Sequence, residues 1–291
     1  MRNMRLAPVA MALLVAGGIA TAVDSAVQAS EETTYYVAMG DSLAAGWQPI
    51  GDPQNDHLTR ASYPDQLWLM ARQHYRDLQL VNLACPGENT ETIRLDNGRC
   101  EYQHGSQLGE ALAFIEEHHD QMAFITIDIG FADFDCIDGL SCLFPGIENI
   151  EERLPPILAE LHEVAAGVPI VGMNIYDPYL NLWLQGEETL ARQSVVAIQL
   201  INEALEEAYA DAGITVADVE RAYAIEDWDT LVPLAGHGDV PRNVALLCQR
   251  TWQCFGPPLG PDWHSNALGF RALAEAFVKA LDLEVVGVSD T

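Results

Sequence analysis

Five short apolar runs alternate with longer stretches whose apolar residues recur at helical spacing, and this alternation constrains the fold most. The runs Tyr35–Met39, Gln79–Leu83, Phe124–Ile129, Pro169–Asn174 and Ile214–Ala217 read as strands. Helices are expected at Ser62–Tyr75, Ser106–His118, Ile147–Ala166 and Glu187–Asp211, with a last one at Asn266–Leu281. Strands separated by amphipathic helices specify a central parallel sheet sandwiched between helical layers. Gly213 is placed to stop the fourth helix. No repeat, low-complexity tract or Pro/Ser-rich linker divides the 291 residues, so residues 30–291 are expected to form one domain. In open α/β sheets ligands bind beyond the carboxyl ends of the strands. That directs attention to the residues just after Met39, Leu83, Ile129 and Asn174. The stretch Glu226–Pro261, rich in Gly, Pro and Trp, reads as a long irregular functional loop.

Residues 1–29 read as a signal peptide outside the fold. Arg2 and Arg5 give a positive start, Leu6–Val23 is apolar, and Val27-Gln28-Ala29 supplies small residues for cleavage after Ala29. Gly17, Gly18 and the abrupt Asp24 weigh against the alternative, a retained anchor. The mature chain is therefore expected to be extracellular, monomeric and without stable membrane insertion. The formal net charge is −29, and Lys279 is the only lysine. Such a surface repels phosphate backbones and anionic lipid headgroups, which argues against a nucleic-acid partner. Six cysteines fall into three close pairs, Cys85 with Cys100, Cys136 with Cys142 and Cys248 with Cys254. In an oxidising compartment an even count implies a disulfide framework, and spacing favours local pairing among the possible connectivities. No pair has the spacing of a zinc site, and no metal or other cofactor is expected.

Chemistry-bearing residues gather at the ends of the candidate strands. Tyr35–Met39 runs into Gly40-Asp41-Ser42-Leu43-Ala44-Ala45-Gly46, which sets a serine at a strand's carboxyl end. There its hydroxyl can attack and its own amide can face a developing oxyanion. An ordinary helix-capping serine looks the same in isolation. This is not the G-x-S-x-G elbow, because Ala44 holds the last glycine's place. After the second strand, Cys85-Pro86-Gly87 puts a glycine where a bare backbone amide can approach a ligand. After the third comes Gly130-Phe131-Ala132-Asp133. Before the last helix, Asp262-Trp263-His264 sets a carboxylate two residues upstream of a histidine. In extended backbone that spacing puts both side chains on one side, so Asp262 can orient His264.

Taken in this order, the blocks resemble the GDSL, or SGNH, hydrolase family, over about Tyr35 to Leu281. The resemblance is strongest to secreted bacterial members with three local disulfides. It implies a flavodoxin-like three-layer α/β/α sandwich with about five parallel strands. It also implies hydrolysis of small-molecule or lipid acyl esters without metal or cofactor. Residue by residue, it makes Ser42 the nucleophile and one oxyanion amide, Gly87 a second oxyanion amide, and His264 the base.

Two departures from the family pattern stand out. Ala132 occupies the asparagine position of Gly-x-Asn-Asp and removes a side-chain donor, a change that typically costs about 10²–10³ in turnover. Asn89 and Asn174 are candidate substitutes. The usual carboxylate three residues before the histidine is replaced by Pro261, which leaves either Asp262 or a main-chain carbonyl to hold the imidazole. A catalytically silent relative that binds an acyl or glycan ligand is the competing reading, motivated by Ala132. Trp252 and Trp263 flank the base in sequence and could line an acyl pocket. His57, His74, His104 and His237 read as scattered surface residues. Asp128, Asp133 and Asp135 lack a calcium-loop pattern and read as supporting or solvated groups.

Overall fold

The computed structural model describes residues 33–52, 57–96, 99–134 and 143–283. The signal-peptide reading of residues 1–29 and the Cys136–Cys142 pair lie outside the described residues.

Five parallel strands form the central sheet: β1 (Thr34–Gly40), β2 (Leu78–Asn82), β3 (Met122–Asp128), β4 (Ile170–Met173) and β5 (Thr215–Ala217). Their order is β2-β1-β3-β4-β5. The helices connecting them are α1 (Ser42–Ala45), α2 (Tyr63–Ala71), α3 (Gln107–Glu117), α4 (Leu143–Val164), α5 (Glu188–Asp211) and α6 (Val219–Ala222). The chain closes with α8 (Ala267–Ala280), after a seventh helix described below. This is the flavodoxin-like sandwich expected from the alternation, with every expected strand and main helix present.

Burial on both faces explains the strand sequences. All seven residues of β3 except Met122 are buried, so the strand reads as a continuous apolar run rather than an alternating one. Thr126 turns to one face, where the Tyr36 hydroxyl lies 2.8 Å from its Oγ1. Ile127 turns to the other and shares it with its register partner Gly172. A Cβ on Gly172 would sit 2.4 Å from the Tyr209 ring of α5, so the missing side chain lets α5 pack down on the sheet. On the opposite side α2 packs on α8, with Tyr63 stacked on Phe277 at 4.6 Å. Helix starts are fixed locally. Ser62 and Asp65 form a capping box on α2, Ser106 caps α3, and the Asn266 side chain accepts from Leu268 and Gly269 on α8. Each such cap contributes about 1 kcal/mol.

The stretch Glu226–Pro261 is more ordered than its composition suggests, which corrects the expectation of an irregular loop. It holds an antiparallel ribbon of β6 (Leu231–Leu234) and β7 (Gly238–Pro241), then α7 (Arg242–Arg250) and β8 (Thr251–Trp252). Pro233 and Pro241 mask the ribbon in sequence, but a two-stranded ribbon is all edge and tolerates them. β8 pairs antiparallel with β9 (Asp262–Ser265), the strand that leads into α8. Disulfides join Cys85 to Cys100 and Cys248 to Cys254, with Cα atoms 6.1 and 5.0 Å apart.

Candidate active site

The candidate site sits beyond the carboxyl ends of β1 and β3, where the strand order turns back on itself and α/β sheets leave a crevice. β1 ends at Gly40, whose φ of +140° and surroundings admit no side chain: a Cβ there would lie 1.3 Å from Asp128 Oδ1. Gln107, reaching from α3, holds the same turn from both sides. Its Oε1 accepts the Gly40 N–H at 2.6 Å and its Nε2 donates to the Gly40 carbonyl at 3.0 Å. Asp41 caps α1 by accepting the Leu43 N–H at 2.9 Å, and its own N–H donates to Asp128 Oδ1 at 3.2 Å. These contacts fix Ser42, buried at the first position of α1.

His264 arrives from β9. Its Nε2 lies 2.9 Å from the Ser42 hydroxyl oxygen, across 222 residues of chain. Its Nδ1 lies 2.8 Å from Asp262 Oδ1, which also accepts the His264 backbone N–H at 2.9 Å. An ionised carboxylate only accepts, so Asp262 selects the tautomer with the proton on Nδ1 and leaves Nε2 free to accept from Ser42. Burial lowers the His264 pKa below its ordinary 6.5, and the Asp262 hydrogen bond and charge oppose that shift. The imidazole is therefore neutral at pH 7 and able to take a proton. The alternative in which a main-chain carbonyl holds the ring does not describe this geometry.

The remaining blocks converge on the same rim. The Cys85 N–H donates to the Gly40 carbonyl at 3.1 Å, which ties the turn carrying Gly87 to the turn carrying Ser42. Gly87 has φ +77°, and the Arg99 guanidinium lies against its open side, 3.1 Å from where a Cβ would stand. Ala132 lies in the 3-10 helix Phe131–Phe134 that follows β3. Its neighbour Asp133 accepts from Thr90 N at 3.1 Å and Thr90 Oγ1 at 2.6 Å, which joins the third block to the second.

Of the two asparagines considered as replacements for the missing donor, Asn174 is engaged through both ends of its amide and Asn89 through its oxygen. Asn174 accepts from Val219 N at 2.6 Å and Glu220 N at 3.0 Å, and its Nδ2 donates to Glu206 Oε1 at 2.8 Å, so it caps α6. The Asn89 oxygen accepts from Thr92 N at 2.9 Å and Glu91 N at 3.0 Å. Of the two tryptophans singled out in sequence, Trp263 stacks on His264, its ring centroid 3.9 Å away. Trp252 instead packs on Phe255 and donates its Nε1 to Gln48 Oε1 at 3.3 Å.

Sequence reasoning missed three supporting residues: Trp47, Gln107 and Tyr176, whose hydroxyl donates to the Trp263 carbonyl at 2.7 Å. Asp128, read as a supporting or solvated group, accepts the Asp41 N–H. His57, read as a surface residue, is half-buried. Its Nδ1 is enclosed without a hydrogen-bond partner among the described residues, and its ring lies 5.3 Å from that of Trp47. Beneath the nucleophile, burial pushes Asp41 up to about 7, and burial beside Asp41 pushes Asp128 well above the carboxylate range.

Comparison with known proteins gives the arrangement a context. The sequence profile of the GDSL-like Lipase/Acylhydrolase family matches residues 38–272. The fold is similar to that of an extracellular lipase from Streptomyces rimosus, at 19% identity and a TM-score of 0.50, covering 85% of this chain and 100% of that one. It is also similar to an acetyl xylan esterase from Geobacillus stearothermophilus, at 14% identity and a TM-score of 0.48, covering 89% of this chain and 100% of that one. At 19% identity the likeness to the Streptomyces rimosus lipase is one of fold. Among curated proteins none matches the chain.

Proposed function

This chain belongs to the GDSL-like lipase/acylhydrolase family, and we propose that it is a secreted serine hydrolase of carboxylic acyl esters. In this reading Ser42 is the nucleophile, His264 the general base and acid, and Asp262 the group that orients the imidazole. The observation that carries it is the continuous relay from Ser42 through His264 to Asp262, with contacts of 2.9 and 2.8 Å.

The chemistry follows from that relay. The Ser42 hydroxyl attacks the ester carbonyl while its proton passes to His264 Nε2. The carbonyl electron pair moves onto oxygen, where the Ser42 and Gly87 amides are the proposed donors. Collapse expels the alcohol, which takes the proton back from His264 and leaves an acyl group on Ser42. Water, deprotonated by the same imidazole, then releases the acid. Ala132 offers only a methyl group to the oxyanion, so turnover is expected to be modest. Export through residues 1–29 is supported by their composition and by two disulfides in the folded part. Among the described residues no helix is long and apolar enough to cross a membrane.

The test is incubation with a fluorophosphonate and with 4-nitrophenyl esters of graded acyl length, with Ser42→Ala as the blank. Ser42-dependent labelling and cleavage are expected. Folded protein inert to both would leave ligand binding as the better reading.

A further inference from the structure

The imidazole of His264 lies between two indoles. The Trp263 ring centroid is 3.9 Å away at an interplanar angle of 21°, and the Trp47 centroid is 4.2 Å away at 35°. Rings in contact are spaced by about 3.5 Å, so each indole is displaced only slightly sideways from the imidazole. Two indoles so placed on one face would overlap. They therefore take opposite faces, and Ser42 and Asp262 take the two nitrogen edges.

Backbone contacts anchor the segments that carry both indoles. The Trp47 backbone N–H donates to the Ser42 carbonyl at 2.9 Å, and Trp47 bridges to Leu58. The far side of Trp263 is covered by Phe131 at 4.3 Å and 12°, and its carbonyl accepts from the fully buried Tyr176. Four titratable groups among the described residues are tied to this stack. They are Asp262 on β9, Asp41 beside Ser42 at the start of α1, His57 against Trp47, and Tyr176, whose hydroxyl donates to the Trp263 backbone carbonyl.

Such a sandwich has two opposed effects. It excludes water from both faces, which disfavours a charged ring. It also presents two electron-rich faces, which attract a cation far more than a neutral imidazole. During attack by Ser42 the ring changes from neutral to cationic as the Oγ–H bond breaks and the Nε2–H bond forms. The favourable effect is then gained in the transition state and is largely absent from the ground state.

We propose that Trp47 and Trp263 are positioning residues that act through His264 and stabilise the imidazolium formed when Ser42 gives up its proton. The proposal rests on the Ser42–His264 reading and deepens it. Ala132 leaves the oxyanion a donor short, and the chain compensates on the opposite charge of the same ion pair.

The experiment replaces each tryptophan singly by leucine and by phenylalanine. Leucine keeps apolar bulk but has no ring face, and phenylalanine keeps the face. Hydrolysis of 4-nitrophenyl acetate is followed against pH, and the His264 imidazole is titrated by NMR in the same proteins. His57→Gln serves as the control that separates the His57 titration. Each leucine variant is expected to lose about 10- to 30-fold in kcat/KM, carried by kcat rather than KM. The His264 pKa is expected to fall by about one unit in the leucine variants, since a desolvated ring loses its cation-stabilising faces, and phenylalanine is expected to restore most of both losses.

Leucine and phenylalanine variants that behave alike, a loss confined to KM, or a His264 pKa that stays or rises would overturn the proposal and leave the indoles as packing. Should the leucine variants fail to fold, global replacement of tryptophan by ring-fluorinated tryptophan keeps the shape and weakens the faces. A lower kcat and His264 pKa then support the proposal, and unchanged values overturn it. Absence of Ser42-dependent turnover in the parent protein is a different result: it overturns the hydrolase reading, and the catalytic role of the sandwich with it.

Discussion

Asp262 and His264 stand two residues apart on β9, and one carboxylate oxygen, Asp262 Oδ1, lies 2.8 Å from the ring and 2.9 Å from the backbone nitrogen of the same histidine. The carboxylate thus fixes both where the ring is and which of its nitrogens carries the proton. An asparagine in its place keeps the shape but can offer an N–H to Nδ1, which moves the ring proton to Nε2 and turns it away from accepting. Asp262→Asn is expected to lower kcat by about 10³–10⁴ with the melting temperature little changed. A loss below tenfold would mean that the tautomer is held by something else.

Burial holds the His264 pKa below 6.5, and only the neutral ring can accept from Ser42. The kcat/KM profile is therefore expected to rise with pH through an apparent pKa below 6.5 and to be level by pH 7. A midpoint well above 7, measured on a neutral ester, would contradict the assignment of His264 as base.

Restoring the side-chain donor at position 132 separates a slow enzyme from a binder. Ala132→Asn is expected to raise kcat by about tenfold or more from a measurable baseline, within the range a single oxyanion donor supplies. An inert parent that gains turnover only in the variant would favour the silent, ligand-binding reading.

Two carboxyls deep in the fold, Asp41 and Asp177, are each raised by burial to about 7. Their folded pKa exceeds the unfolded one, so the neutral acid suits the native state. Stability from these groups is full below about pH 4 and is lost as pH rises through about 7. For Asp177 the loss between pH 5 and pH 8 is on the order of 2–3 kcal/mol. The substitution Asp177→Asn can keep both contacts of that side chain. The amide oxygen would accept from Tyr179 N, and the amide nitrogen would donate to Ser194 Oγ, which itself donates to the Ala191 carbonyl. Urea unfolding of Asp177→Asn at the two pH values should show the slope reduced by that amount, and an unchanged slope would reject the argument.

Gly40 has both a φ of +140° and the Asp128 oxygen where a Cβ would go. Gly40→Ala must displace Asp128, Gln107 or the start of α1, and is expected to cost about 3 kcal/mol or more together with most activity. Wild-type stability in this variant, measured by calorimetry, would show that the turn adapts.

These residues divide sharply in how visible they are from sequence. Ser42, Gly87 and the Asp262–His264 pair announce themselves because each is set by a few neighbours in the chain: a strand end, a turn glycine, an extended dipeptide step. The five strands are visible for the same reason, being short apolar runs, of which β3 and β4 are almost wholly buried. Trp47 and Gln107 are invisible, since Trp47 matters only where it meets a ring 217 positions later and Gln107 only where it meets Gly40 across 67. Adjacency in the chain made Trp252 look equivalent to Trp263, yet β8 turns the first toward Gln48 and Phe255. The ribbon of β6 and β7 was hidden by its own Pro and Gly, whose local preference for turns outweighs a pairing that only tertiary contact reveals.

The hydroxyl of Ser42 leaves the first strand of the sheet, while the imidazole arrives on β9, well after the sheet is complete at Ala217. A chain still being made, or ending anywhere before Asp262, lacks the imidazole that would activate the nucleophile. On the proposed chemistry the protein stays harmless to its maker's own esters until the last part of it is synthesised and folded home, and hydrolysis becomes a direct assay of completed folding.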